Sequence, residues 1–288
     1  MAGGRDGNGH MDETRTDDAT GSRQGSRYPS LVTLVLTPLV IVLIWLLENY
    51  LLAGNTRLFQ QASVPGLVLY TVLAGILVGI IVPIVRIRAA FLSGAVNMFQ
   101  IGFRSARRTV AAVSLTALAG YAFVIITGMP GVEGLDHLEC ATLFMLLLPT
   151  AIAAVMICWV LAGTHVQAYF RCEGVVVSII TGVVVTALIF ALSLSILFAG
   201  PDFRDLFTGF FVAGCIAAFF FFAVRDVYAT IIVVTSGLVV LLNARIDPAY
   251  LGPISPAVIL CGIVVMVVLV SVHWHFSRHY TTIVLPEK

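Results

Sequence analysis

The chain has 288 residues, of which 59% are hydrophobic and only 11% charged. A soluble domain of this length needs far more polar surface, so the composition excludes the soluble globular class. The 16 Lys+Arg and 15 Asp+Glu leave a formal charge of +1, which gives no electrostatic footprint for a nucleic-acid partner. Lys288 is the sole lysine, so no membrane-embedded lysine can carry retinal as a Schiff base.

Residues 1–28 are rich in Gly, Asp, Arg and Thr and nearly free of aliphatics, and are expected to form a disordered cytoplasmic tail. They do not read as a signal peptide, because the polar stretch is too long and no small-residue cleavage pattern follows. The remainder, 29–288, is expected to be an all-α transmembrane bundle. Eight apolar runs carry that expectation, at about 30–50, 64–85, 108–128, 139–162, 175–199, 207–224, 227–243 and 257–274. Each approaches the ~20 residues that carry a helix across ~30 Å of hydrocarbon. They are apolar on every side and do not alternate as barrel strands would. The polytopic bundle is therefore expected to have about eight spans.

The sixth and seventh runs are separated only by Arg225-Asp226. Eight spans with both termini inside place Arg86, Arg88, Arg104, Arg107, Arg108, Arg171, Arg225 and Arg278 on the cytoplasmic side. Arg57, Arg204 and Arg245 then lie outside, which the positive-inside rule favours. The expected location is the cell membrane. Residues 87–107 read as an amphipathic segment along the inner face, with Phe91, Leu92, Val96, Met98, Phe99 and Phe103 on one side. Gly75 and Gly79 stand four apart, as do Gly174, Ser178 and Gly182, and again Gly209, Ala213 and Ala217, spacings that let helices approach closely. Pro149 is expected to kink the fourth run. The five cysteines show no CxxC pair and read as packing residues.

No P-loop, GxSxG elbow, HExxH pair or c-type haem motif is present. Polar chemistry concentrates in two places. The first is VHWHFSRHY at the end of the last run, with His273, His275, Arg278 and His279. The second is GTHVQAYFRCEG at 163–174, with His165, Gln167, Arg171 and Glu173. On the eight-span topology both emerge on one side and could converge with Arg225 and Asp226. His165, Glu173, Asp226 and His273 are the candidates for acid–base chemistry. Arg86, Arg171, Arg225 and His275 are the candidates to hold a substrate, the arginines through an anionic group. Interface anchoring and topology explain the same residues without function. No metal site is expected, since two imidazoles fall short of a zinc ligand set.

A transporter or channel-like permease is the leading expectation. The alternatives are a membrane enzyme acting on a lipid or isoprenoid, and a non-catalytic subunit of a membrane complex. Membrane lipids are the expected partners, with a homo-oligomer or complex subunits as further possibilities.

Overall fold

A computed structural model describes residues 31–53, 64–92, 96, 98–127, 137–198, 203–243 and 256–280. The tail at 1–28 lies outside the described residues. The fold is all-α. We label the helices in chain order: α1 is Leu31–Ala53, α2 is Val64–Leu92, and α3 is the single turn Met98–Ile101. α4 is Ala106–Thr127. α5 combines His137–Ala154, the π-helical Val155–Gly163 and Thr164–Tyr169. α6 is Val175–Leu197, α7 Phe203–Val224, α8 Val227–Leu242 and α9 Pro256–Tyr280. Setting the single turn α3 aside, the described residues form eight long helical rods.

Five of these, not eight, are long and apolar enough to cross a membrane: α2, α5, α6, α7 and α9. The expectation of about eight spans is corrected at the first, third and seventh runs. α8 has 16 residues, about 24 Å of helix against ~30 Å of hydrocarbon. The apolar stretch described in α1, Val35–Leu51, stays below 18 residues. In α4 the continuous stretch described in full, residues 106–123, includes Arg107 and Arg108, which keep it outside that set among the described residues. α8 tolerates its shortness because it is mostly buried against other helices, and its start, residues 227–231, is surrounded by protein rather than lipid.

α5 is the central rod. Its most apolar stretch is 89% buried, against 33–39% for the other four spans. Lipid tails are as apolar as leucine, so close packing rather than hydrophobic exclusion holds the rods together. Gly75 and Gly79 of α2 supply that closeness. A Cβ at Gly79 would lie 2.7 Å from the Ala153 Cβ, and one at Gly75 would lie 3.3 Å from the Pro149 Cβ. Gly182 of α6 faces the Phe222 ring, and Gly214 of α7 lies against the Ala187 backbone. Both α2 and α5 contain π-helical turns, Thr71–Ile81 and Val155–Gly163.

Of the segment between α2 and α4, the described part packs against the bundle, with Val96 buried. α2 continues helically to Leu92, so its share of 87–107 belongs to the rod. Ile101 and Phe103 are buried, and Gly102 adopts φ +84 where a Cβ would meet the Phe221 ring at 3.0 Å. The Val227 N–H then donates to the Gly102 carbonyl at 3.2 Å, joining this segment to the start of α8. Two further bonds set the ends of the bundle. Asn49, late in α1, donates to the Ser193 carbonyl, late in α6. Tyr228, early in α8, bonds His273, late in α9. Thus α1 begins and α9 ends at the end of the bundle that carries Arg225.

Candidate functional site

The site is built around the two-residue break between α7 and α8. Asp226 is extended (φ −134, ψ 121) and caps α8, its Oδ1 accepting from the Ala229 N–H at 2.9 Å. Its Oδ2 accepts from the Thr109 hydroxyl of α4 at 2.9 Å. Asp226 is fully buried, and both carboxylate oxygens are directed to neutral donors.

Arg225 precedes it in left-handed backbone, φ 54, the one non-glycine residue with positive φ among those described. This conformation costs a residue with a Cβ roughly 1–2 kcal/mol. It aims the side chain inward, where Arg225 is 9% exposed. Nη2 donates to the Gln167 side-chain oxygen at 2.7 Å and Nη1 to the Gln100 carbonyl at 3.3 Å. The guanidinium carbon lies 5.0 Å from the Phe222 ring centre and 5.9 Å from that of Phe221. Arg104 closes the turn from below, its Nε donating to the Arg225 carbonyl at 2.9 Å. A guanidinium is thus held in a largely dry site by uncharged acceptors and ring faces, with a second guanidinium beside it. Burial, and then the Arg104 charge, push the Arg225 pKa down to about 10, so it remains a cation at neutral pH.

His273 completes the far side. Its Nδ1 lies 2.9 Å from the Tyr228 hydroxyl, its ring donates to the Arg104 backbone carbonyl, and it stacks on Phe103 at 4.6 Å. A continuous chain of contacts therefore runs from Gln167 through Arg225 and Arg104 to His273 and Tyr228.

The remaining sequence candidates sit apart from that chain. His165 is buried, but its Nδ1 donates to the Leu161 carbonyl of its own helix at 2.8 Å. A carbonyl only accepts, so Nδ1 carries a proton. Glu173 is exposed at the end of the turn Phe170–Glu173. Arg86 is exposed on α2, and His275 is exposed on α9 beside Trp274. The side chain of Arg171 lies outside the described residues. Among the described residues, no group of three or more His, Cys, Asp and Glu side chains is arranged to hold a metal ion.

Sequence reasoning missed Arg104, Tyr228 and Thr109 as parts of one cluster. Gln167 was visible only as a loop residue, whereas α5 stays helical to Tyr169. One available signal was the interruption of two apolar runs by a charged pair with no glycine or proline. Such a break has to cap the next helix, and Asp is a strong N-cap.

From this cluster a line of hydroxyls follows the α5–α6 contact. The Ser178 hydroxyl donates to the Gln167 carbonyl at 3.1 Å. Thr164 and Thr186 follow, both fully buried, and a Cβ at Gly163 would lie 3.2 Å from the Thr186 methyl. Further along α6, Ser193 and Ser195 are fully buried. Their hydroxyls, like the Trp159 indole N–H, have no hydrogen-bond partner among the described residues. Ser178 and Ser193 are about 23 Å apart along the helix. No protein-family model, no curated protein and no solved structure matches the chain.

Proposed function

We propose that this multi-pass membrane protein is a cell-membrane permease for a small anionic solute, with the Arg225 end on the cytoplasmic side. The observation that carries the reading is the buried Arg225 guanidinium, faced by neutral acceptors, at the head of the hydroxyl line on α6. An unneutralised cation in a low-dielectric site is costly, and the cost is offset when an anion binds. Donors that lack protein acceptors among the described residues, at Ser193 and Trp159, suit the onward passage of the same anion. The basic residues near this end, Arg104, Arg107 and Arg108, favour its cytoplasmic orientation. The π-helical turns of α2 and α5 supply places where a rod can change register, as π segments often do at functional sites.

The full-length protein in liposomes tests this with a panel of chloride, nitrate and inorganic phosphate. Wild type is expected to pass at least one of them well above empty liposomes. Arg225→Gln should abolish the flux and Arg225→Lys should retain part of it. No flux of any of the three above background, or full flux through Arg225→Gln, contradicts the reading.

A further inference from the structure

At the opposite end of the bundle a groove of 430 Å³ lies between α1 and α2. Glu48 and Tyr70 stand at its rim, with Ile44, Leu73 and Val78 along its length. Its edges face outward: Leu47 is 57% exposed and Leu69 60% exposed. It therefore opens sideways towards lipid. Val78 lies roughly 10 Å further along α2 than Tyr70, so the groove runs from its polar rim towards the middle of the membrane. Tyr50, 68% exposed, marks the rim as headgroup depth, where tyrosines sit.

One polar atom in this groove lacks a counterpart. The Oε2 of Glu48 is buried and has no hydrogen-bond partner among the described residues. The Tyr70 hydroxyl, also on the groove, pairs with the Thr150 hydroxyl at 2.5 Å. A carboxylate at headgroup depth, over a greasy slot directed inward, complements an amphiphile whose head donates hydrogen bonds and carries positive charge.

We propose that this groove binds a phospholipid with a primary ammonium headgroup. The ammonium donates to Glu48, and one acyl chain lies against Ile44, Leu73 and Val78. The volume falls within the 300–1,000 Å³ of ordinary ligand sites and suits a single chain rather than a whole lipid. A trimethylated head, as in phosphatidylcholine, has the charge but no N–H to give. A charge-assisted hydrogen bond therefore discriminates between the two.

The test is lipid retention by native mass spectrometry of the full-length protein, equilibrated with phosphatidylethanolamine and phosphatidylcholine of identical chains. Wild type is expected to keep phosphatidylethanolamine about tenfold better, the scale of one charge-assisted bond. Glu48→Gln should reduce that preference to near unity. Leu69→Trp, which fills the groove and leaves the carboxylate, should lower retention of both lipids. Equal retention of the two lipids by wild type overturns the proposal. So does unchanged preference in Glu48→Gln, undiminished retention in Leu69→Trp, or a dimer that carries no lipid and so places a second copy in the groove.

Discussion

Arg225 is a residue kept against its local cost. Left-handed backbone would be free for glycine, yet the position holds a bulky cation that burial further penalises. Its hydrogen bonds run to neutral groups, so removing the charge relieves more than it forfeits. Arg225→Gln is therefore expected to leave the thermal midpoint unchanged or raised while flux is lost, as read by paired thermal melts and liposome assays. A fall in stability equal to the loss of function would instead assign Arg225 a structural role. The pH dependence has a definite sign. Folding lowers the Arg225 pKa to about 10, so the folded state disfavours its proton, and the penalty is complete below that value. As pH rises through about 10 the penalty lifts, and the cation that attracts the anion disappears. Anion flux is expected to fall across that interval, with no matching fall in a variant that already lacks the arginine.

Asp226 behaves differently, since its oxygens hold the α8 cap and tie α4 to the break. Asp226→Ala should cost about 1–2 kcal/mol in denaturant unfolding. Asp226→Asn, itself a good cap, should cost clearly less, because its Oδ1 still caps α8 and its Nδ2 can donate to the Thr109 hydroxyl in place of accepting from it. Equal losses in the two variants would contradict the capping role.

Among the helices, the contact of α2 with α5 is the tightest that glycine permits. Gly79→Val places a Cβ 2.7 Å from the Ala153 side chain, and the neighbouring backbone leaves little room to yield. Most folded protein should be lost, as measured by monodisperse yield in detergent. Gly120 of α4 is the contrasting case, with nothing within 4 Å of an added methyl group. Gly120→Ala should be neutral or stabilising by up to about 1 kcal/mol. The first of these contacts was legible from the Gly75 and Gly79 spacing alone. The crowded Gly214 was not, because the four-residue spacing in that run picks out Gly209, Ala213 and Ala217 instead. The π-helical turns left no trace in the sequence either. They arise from how rods fit together, whereas the apolar pattern is equally satisfied by α-helix.

For the molecule as a whole, the membrane class was readable from composition, because helices apolar on all sides have no other solvent. The number of spans was not. Counting runs treats α8 as equivalent to α6, although 16 residues surrounded by protein need not reach both interfaces. The site was half legible. Arg225, Asp226 and His273 stood out as charges beside apolar runs, but Arg104 and Gln167 come to Arg225 from two other segments, and Tyr228 reaches His273 across two helices. Only packing brings those segments together.

The claim on which the functional account rests is that a polar route runs from Arg225 along the buried face of α6. It can be tested without knowing the solute. In a background lacking Cys140, Cys158, Cys172, Cys215 and Cys261, single cysteines replace Ser178, Thr186 and Ser193 on the route. Another replaces Leu188, which is 44% exposed on the lipid side. An anionic thiosulfonate reagent reacts only with thiols that water and anions reach. The account predicts modification at Ser178→Cys, Thr186→Cys and Ser193→Cys, slowed by Arg225→Gln, and none at Leu188→Cys. Inert thiols at all three route positions, or equal labelling at Leu188→Cys, would contradict it.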